Sequence, residues 1–355
     1  MTEQVADIPA RYYARMGEVL LRAGVDLFSV LEKVGLDPQL LAQPDAMLRI
    51  DQIEAFVMAA LQVSGRQDLA LDTGYALHIT SHSSVGYAML SSPTAGQGMR
   101  LLARYFRLVM PAFSIRYRHD AEHIELVFEP ARLMSKACLM FHLEAIVAAT
   151  YIALGDLLGE HLQAYDVFLS MPKPAHIARY AEMRHVRLHF MEWWTAPGIR
   201  MRFAPEIMDR RPVLADPDAF RRAEERCRML AVNVLASGKV AGWVAMMLRE
   251  STDGIPTLTE LAQTLNLSTR TLDRYLTMEQ TSFRKLYHQV RHVRAKELLA
   301  NSHLTVTQVA YELGYTDLAN FTRAFRKQEG KSPAEYKHVA RKNDRLTRLE
   351  SMVTT

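Results

Sequence analysis

Two short segments near the C-terminal end carry side chains that could form hydrogen bonds with the edges of DNA bases. Leu272 and Leu276 mark the apolar side of one predicted helix, whose opposite face carries Thr269, Arg270, Asp273 and Arg274. Phe321 and Phe325 mark the apolar side of another, whose opposite face carries Asn320, Arg323 and Lys327. Because arginine can form paired hydrogen bonds with guanine and asparagine with adenine, both faces suit the major groove.

The basic charge of the chain is concentrated in the same region. Residues 1–238 contain 25 Lys and Arg against 27 Asp and Glu, whereas residues 239–355 contain 18 against 12. A basic module attached to a nearly neutral one indicates a protein that binds a polyanion. Exposed arginines are also ordinary on a solvated amphipathic helix, so one face alone leaves both interpretations open. The two faces together favour DNA.

Each of these faces is preceded by the pattern of another helix and a tight turn. The predicted caps of the four helices are, in chain order, Thr257, Ser268, Thr305 and Thr316 or Asp317. The predicted breaks fall at residues 266–267 and at Gly314. The sequence therefore predicts two helix-turn-helix units, and Ser268 and Thr316 at the starts of the second helices complete the candidate DNA-binding set.

A single helix is predicted between the two units, from about Phe283 to Ala300. At about 1.5 Å per residue it would span about 27 Å. Adjacent major grooves on one face of B-DNA repeat about every 34 Å. A rigid helix of this length could hold both recognition helices against successive grooves, so one chain could read two of them.

Length and composition indicate a globular protein of more than one domain. The 355 residues exceed the roughly 250–300 at which a single core stops growing. A content of 49% hydrophobic and 23% charged residues excludes a disordered protein. The two cysteines are too few for a disulfide framework or a four-thiolate zinc site, and they suit a reducing compartment.

No membrane or export segment is predicted. The longest apolar run, from Ala145 to Leu154, has ten residues, about half of what a spanning helix needs, and is interpreted as a core helix. The N-terminal residues lack the basic start and apolar centre of a secretory signal. These features predict a cytoplasmic protein without a membrane partner.

The part of the chain before the basic region is predicted to mix helices with strands. Apolar spacing indicates helices within residues 16–31 and 53–61, alternation indicates a hairpin over 113–128, and a long helix is predicted from Ser135 to Leu158. The elements predicted after these are a strand at 165–170, a helix at 176–183, and strands at 186–190 and 199–203. Helices mixed with antiparallel strands indicate an α+β domain.

A further helix is predicted to begin after Asp216, its cap, with Pro217 in its first turn. Its apolar stripe consists of Phe220, Ala223, Cys227, Leu230 and Val234. Two heptads are too short to specify a coiled coil, so the stripe could pack on its own domain or form a subunit interface. The Ala236-Ser-Gly segment is the predicted boundary between the domains.

The second helix-turn-helix unit resembles that of a known family. The run from Val306 to Tyr336, which contains Gly-Tyr-Thr-Asp-Leu-Ala-Asn-Phe-Thr-Arg-Ala-Phe, is similar to the second signature of the AraC/XylS transcriptional regulators. Residues 258–276 resemble the first unit, and the similarity covers about residues 240–340. The resemblance implies base-reading roles for Arg270, Asp273, Arg274, Asn320 and Arg323. Tyr275 departs from the family, which often has a basic residue there.

The N-terminal part carries a second resemblance. The run from Ser84 to Phe106, which contains Ser-Ser-Pro-Thr-Ala-Gly-Gln-Gly, looks like a segment of the arabinose-binding-like sensor domains in regulators of the ornithine-utilisation type. That branch answers to varied effectors. A sugar, an amino acid, a fatty acid and an aromatic compound therefore all stay open, and no effector-binding residue is predicted.

Competing chemistry rests on three pairs with i, i+4 spacing, namely His78/His82, His119/His123 and Cys138/His142. Each pair could supply two metal ligands, but a site needs a third, so no metal and no cofactor are predicted. Cys138 lies in an apolar helix and is interpreted as a small buried hydrophobe. The chain has no nucleophile elbow, Walker loop or dinucleotide fingerprint, so no enzyme is predicted. An enzyme, a metal-dependent sensor and a DNA-coating protein without sequence preference remain the alternatives.

The residues and the two resemblances together predict an α+β N-terminal sensor domain, followed by an all-α DNA-binding domain with two helix-turn-helix units joined by a long linker helix. Residues 1–238 would sense the effector and mediate dimerisation, residues 239–340 would bind DNA, and residues 341–355 would form a flexible tail. The resemblance implies a one-component transcription regulator, by family habit an activator. Its expected partners are promoter DNA, RNA polymerase, a small-molecule effector and a second copy of the chain.

Overall fold

A computed structural model divides the chain into two compact units, Met1–Val232 and Asn233–Thr355. The described residues are 8–43, 45–119, 122–190, 197–236, 240–250, 256–264, 267–301 and 304–339. Parts of three predictions lie outside them: the tail at 341–355, Leu265 and Asn266 of the first helix-turn-helix unit, and the Ser-Gly of the domain boundary.

The first unit contains eight complete helices and the greater part of a ninth among its described residues. They are α1 (Arg11–Arg22), α2 (Leu27–Lys33), α3 (Pro38–Ala42), α4 (Ile50–Ser64), α5 (Leu69–Tyr75), α6 (Ser83–Ser91), α7 (Ala95–Tyr105), α8 (Lys136–Leu158) and α9 (Pro217–Ala236). Short 3₁₀ segments occupy Ile79–His82, Phe106–Leu108, Gly159–His161, Ile177–Glu182 and Pro205–Asp209. The helix predicted at 176–183 is therefore a 3₁₀ segment.

Strands of the first unit form a two-residue pair and a larger sheet. The strands are β1 (Ile8–Pro9), β2 (Met47–Leu48), β3 (Phe113–His119), β4 (Ile124–Pro130), β5 (Tyr165–Leu169), β6 (Val186–Phe190) and β7 (Ile199–Phe203). The five-stranded sheet has the order β3-β4-β7-β5-β6. The predicted hairpin is confirmed, because β3 and β4 pair antiparallel with Phe113 opposite Pro130 and His119 opposite Ile124.

One strand pair corrects the prediction of antiparallel strands. β5 and β6 pair in parallel, with Tyr165 opposite Val186 and Leu169 opposite Phe190. The 3₁₀ segment Ile177–Glu182 lies in the connection that returns the chain to the same end of the sheet, as a parallel pair requires. The fold class is unaffected, since helices and a mainly antiparallel sheet still occupy the same unit.

Helix α8 is the central helix of the first unit. Ser135 caps it by accepting a hydrogen bond from the Cys138 amide. By length and composition the helix over Lys136–His161 could span a membrane. The expectation that its apolar run is too short to do so was therefore wrong. Most of its apolar stretch is nevertheless buried in this unit, which confirms the core-helix prediction. Helix α5 packs closely on it at Gly74, where an added Cβ would lie 2.4 Å from the Ala145 carbonyl oxygen.

Every described element of the second unit is helical. Its helices are α10 (Val240–Glu250), α11 (Leu258–Thr264), α12 (Thr269–Met278), α13 (Phe283–Asn301), α14 (Val306–Glu312) and α15 (Leu318–Glu329), and residues 333–339 are also helical. The pairs α11–α12 and α14–α15 are the two predicted helix-turn-helix units. Helix α13 confirms the predicted linker helix and extends one residue further.

A compact apolar cluster holds the second helix-turn-helix unit on α13. Its buried members are Ala295, Leu299, Val309, Ala310, Leu313, Phe321 and Phe325. Ala295 and Leu299 come from α13, while the others come from α14, α15 and the turn between them. The linker helix is therefore part of this core rather than a free connector.

Removal of the α14 cap should measurably destabilise the second helix-turn-helix unit. The Thr305 hydroxyl accepts from the Gln308 amide at 3.2 Å, and the Gln308 side-chain oxygen accepts from the Thr305 amide at 2.7 Å, which together form a capping box. We expect Thr305→Ala to lower the free energy of unfolding by about 1 kcal/mol in urea denaturation. Thr305→Ser keeps the acceptor and is the control. Equal stability of the alanine and serine variants would contradict the cap.

Candidate functional site

The first candidate recognition helix, α12, exposes the predicted residues. Its cap is Ser268, whose hydroxyl accepts from the Thr271 amide at 3.1 Å. Leu272 and Leu276 are fully buried, which fixes the rotation of the helix about its axis. The residues exposed on the opposite side are Thr269, Arg270, Asp273 and Arg274. Ser268 is exposed as well, so it combines its capping role with access to solvent.

The second candidate recognition helix, α15, has the same organisation. Of the two caps considered for it, the structure uses Asp317, whose Oδ1 accepts from the Asn320 amide at 2.7 Å. Phe321 and Phe325 are buried in the apolar cluster. The predicted residues around this core are all exposed: Thr316, Asn320, Arg323 and Lys327.

The Asn320 side chain is held in place by the cap of its own helix. Its Nδ2 donates to Asp317 Oδ2 at 2.5 Å, and the Thr316 hydroxyl lies 3.5 Å from the same carboxylate oxygen. An amide nitrogen carries two hydrogens, so one N–H and the Oδ1 acceptor of Asn320 remain for another partner. Those two groups are the ones that pair with the edge of adenine.

A tyrosine stands beside the arginine at the end of the first face. The Arg274 guanidinium lies 5.6 Å from the centre of the Tyr275 ring, within the range of a cation–π contact. Tyr275 is half-buried, whereas Arg274 is exposed. The ring at this position therefore contacts the neighbouring arginine.

Ion pairs fasten α13 to the end of α15. Glu329 Oε1 lies 2.7 Å from Lys296 Nζ and 2.8 Å from His292 Nε2. Lys296, followed by His292, holds the pKa of Glu329 below its usual range. Next to His292 on α13, the buried Arg291 guanidinium lies 3.6 Å from the centre of the Tyr315 ring. These contacts fix the second helix-turn-helix unit to the linker helix α13 by polar groups as well as by apolar packing.

The first helix-turn-helix unit, α11–α12, is fixed to α13 through α10. Glu279, which follows α12, accepts from the Val240 amide at 2.5 Å and from the Ala241 amide at 2.9 Å. A carboxylate at this position satisfies free amides at the N-terminus of α10 and interacts favourably with its dipole. Helix α10 in turn packs on α13. The two recognition faces are thus joined through a continuous set of packed helices.

The pairs considered as metal ligands have other partners. His78 Nδ1 lies 3.1 Å from Asp156 Oδ2, and His119 ends a strand rather than lying on a helix with His123. Among the residues that the structure describes, no group of three potential ligands is present. Cys138 is buried, and burial raises the pKa of its thiol to about 12. It is therefore a buried apolar group, as predicted, and not an ionised nucleophile at neutral pH.

The apolar stripe of α9 packs mainly on its own unit. Asp216 caps this helix as predicted, accepting from the Asp218 and Ala219 amides. Cys227 is buried in the core of the first unit, and Phe220 and Ala223 pack against that core. The side chain of Val234 lies outside the described part of the chain. The structure thus favours ordinary packing over a subunit interface for Phe220, Ala223 and Cys227, whereas Leu230 is half-buried.

Two tyrosine–histidine pairs line a cavity in the first unit, and none of their members was predicted to bind a ligand. Tyr12 Oη lies 3.2 Å from His82 Nδ1, and Tyr13 Oη lies 2.8 Å from His142 Nε2. Tyr13 and His142 are separated by 129 positions in the chain. No local spacing could have indicated these pairs, because α1 and α8 meet only in the folded protein.

Acidification is expected to weaken the first unit through these histidines. Burial lowers the pKa of His82 from 6.5 to about 4, and it also lowers the pKa of His142. Between pH 6.5 and about 4 the unfolded chain therefore binds a proton at His82 that the folded chain does not. The free energy of unfolding should fall as the pH drops through this window, by up to about 1.4 kcal/mol per pH unit for His82. The lowered pKa of His142 adds a loss of the same sign.

Urea denaturation of the full chain at pH 7 and pH 5 measures this loss. His82→Gln should reduce the difference between the two pH values. His78→Gln is the control, since the side chain of His78 is 62% exposed and pairs with Asp156 at the surface. Equal unfolding free energies at the two pH values would contradict the prediction.

Comparison with known proteins identifies both units. Residues 24–211 match the model of the arabinose-binding domain of AraC transcription regulator, N-terminal, and residues 261–338 match the model of a helix-turn-helix domain. These matches confirm both resemblances seen in the sequence and the prediction of a DNA-binding module with helix-turn-helix units.

The chain is also similar to individual known proteins. The chain is 27% identical over 335 residues to the ornithine utilization regulator of Pseudomonas aeruginosa, covering 94% of this chain and 96% of that protein. It is 32% identical over 81 residues to the transcriptional activator NphR of Rhodococcus sp, covering 23% and 24%. The crystal structure of the transcriptional regulator CdpR from Pseudomonas aeruginosa is similar with a TM-score of 0.44 and 22% identity, covering 87% and 96%. Because the arabinose-binding-domain match alone spans more than half of the sequence, the chain belongs to the AraC family of transcription regulators.

Proposed function

We propose that residues 239–340 read promoter DNA with α12 and α15 together, and that residues 1–238 respond to a small-molecule effector. The observation that carries the proposal is the pair of recognition helices, each exposing its predicted polar residues while burying its apolar side. Ser268, Thr269, Arg270, Asp273 and Arg274 would serve the first groove. Thr316, Asn320, Arg323 and Lys327 would serve the second, with Lys327 on a phosphate.

Regulation would follow from a change in how the DNA-binding units are presented. We propose that the chain forms a homodimer in the cytoplasm, contacts RNA polymerase and activates transcription. Activation is the role that the name of one relative, the transcriptional activator NphR, gives for that protein. Effector binding would shift the population of orientations or of dimers, and so the affinity for paired sites. No catalytic role is assigned to the chain.

Selective binding at fixed salt tests the DNA-reading role. Non-specific binding comes from phosphate contacts and depends on salt without preferring one site. We expect the full chain to bind a promoter site that it regulates at least tenfold more tightly than a scrambled duplex of the same composition. A ratio near one would indicate a DNA-coating protein and would overturn the proposal.

A further inference from the structure

The first unit contains a cavity whose walls are almost entirely apolar. It lies among α1, α5, α6, α7, α8 and β4, with Leu102, Phe106, Phe128 and Ile146 among its lining residues. The space open to the centres of water-sized molecules is about 100 Å³, whereas one water needs only about 10–15 Å³ on this measure. The cavity is therefore large enough for a small organic molecule.

Polar groups in the wall already satisfy one another. His142 Nδ1 donates to the Cys138 carbonyl oxygen at 2.7 Å, so its Nε2 accepts the hydroxyl proton of Tyr13. Arg11 donates to the Tyr12 hydroxyl at 3.4 Å, and Tyr12 can then donate to His82 Nδ1. Both histidines are thus neutral in this arrangement.

No lining residue that the structure describes carries a formal charge at neutral pH. Apart from the two tyrosine–histidine pairs, the polar members are Thr73 and Thr150. The Thr73 hydroxyl donates to the Leu69 carbonyl oxygen at 2.8 Å. A carboxylate or ammonium group entering this cavity would lose its water without gaining a counter-ion, which is strongly unfavourable.

We propose that this cavity is the effector site and that the effector is an uncharged, mainly apolar small molecule with one or two hydrogen-bonding groups. The inference rests on the proposed function, since it takes the first unit to be the sensor. Apolar surface buried against the walls would supply the affinity, and the tyrosine hydroxyl oxygens would accept a hydrogen bond from the ligand. A sugar with hydroxyls on every side, or a charged amino acid, does not match this lining.

A matched pair of probes tests the charge and polarity of the site. We expect calorimetric titration of the full chain at neutral pH to show saturable binding of 1-octanol, with one molecule per chain. Octanoate has the same chain length but a charged end, so it should bind at least tenfold more weakly. L-Arabinose and L-ornithine should show no binding. Octanoate binding as tightly as 1-octanol, binding of either polar probe, or no saturable binding of 1-octanol would overturn the proposal.

Variants of the wall locate the bound probe. Ala149 is buried on α8 and lines the cavity, so Ala149→Leu should fill it and weaken 1-octanol binding at least tenfold. Ala137→Leu, at an exposed position on the same helix, is the matched control. Leu102→Ala enlarges the cavity and should shift the preference towards 1-decanol, which keeps the test valid if the filled variant does not fold. Unchanged binding in Ala149→Leu, or an unchanged preference in Leu102→Ala, would overturn the site.

Selective DNA binding without any alcohol is measured on the same protein. Loss of alcohol binding with selective DNA binding intact would overturn the cavity assignment alone. Absence of selective DNA binding would instead overturn the proposed function.

Discussion

Replacing Arg274 and Arg323 together with alanine is expected to weaken promoter binding by about 2–6 kcal/mol, since each arginine should contribute about 1–3 kcal/mol. The two side chains are exposed on α12 and α15, in separate helix-turn-helix units. Effects at sites that share no partner add to within about 0.5 kcal/mol. Fluorescence anisotropy with one promoter duplex at fixed salt gives the dissociation constants of the two single variants and the double variant.

The control for this prediction is Lys327→Ala. Lys327 is exposed near the end of α15 and is proposed to contact a phosphate. Its loss should weaken binding to all sequences alike and reduce the salt slope by about 1, whereas Arg323→Ala should relax the preference at one base pair. If the double variant binds the promoter as tightly as the more weakly binding of the two single variants, only one helix reads DNA. Unchanged sequence preference in Arg323→Ala would contradict the groove assignment of α15.

Truncation of Phe321 should be among the most damaging single changes in the second unit. Phe321 is fully buried, and its ring centre lies 5.2 Å from that of Tyr315 and 5.8 Å from that of Phe325. Phe321→Ala would leave a cavity in the cluster that orients α15, and we expect it to lower the free energy of unfolding by about 3–5 kcal/mol. Urea denaturation followed by circular dichroism measures the loss.

An exposed neighbour provides the comparison for Phe321. Leu318 is 40% exposed at the start of α15, so Leu318→Ala should change the unfolding free energy much less. Selective DNA binding should be lost with Phe321→Ala, because Asn320 and Arg323 depend on the buried side for their orientation. A loss of stability below about 1 kcal/mol in Phe321→Ala would contradict the packing that the structure shows.

Local patterns predicted the elements whose cause is local. Residues 283–300 follow a helical period, and α13 occupies Phe283–Asn301. Alternation over 113–128 predicted a hairpin, and β3 and β4 form it. The exposed faces of α12 and α15 also follow from local spacing, because one buried stripe determines which residues lie opposite. These parts of the site could therefore be predicted from the sequence.

Features that depend on long-range packing could not be predicted. Both α1 and α8 line the cavity, and its pairs join Tyr12 to His82 and Tyr13 to His142 across long stretches of chain. The parallel pairing of β5 with β6 depends on where the crossover returns, which alternation does not report. Histidine spacing raised metal ligands only as an alternative, and it gave no indication that the tertiary partners of His82 and His142 are tyrosines.

Charge counts likewise do not show which charged side chains are buried and which are exposed. Arg291 adds to the basic character of the second unit in the sequence, yet it is buried against Tyr315. Arg274 and Arg323 add to the same count and are exposed. Only the folded structure distinguishes Arg291, which joins α13 to the second helix-turn-helix unit, from the arginines that are exposed to DNA.

Hydroxyl-radical footprinting tests most directly whether one chain reads two grooves. The full chain is bound to a duplex that carries one promoter site, and the mass of the complex establishes that one chain is present. Simultaneous seating of α12 and α15 predicts two clusters of protection on one face of the duplex, about 10 base pairs apart. A single protected cluster per bound chain would contradict the account.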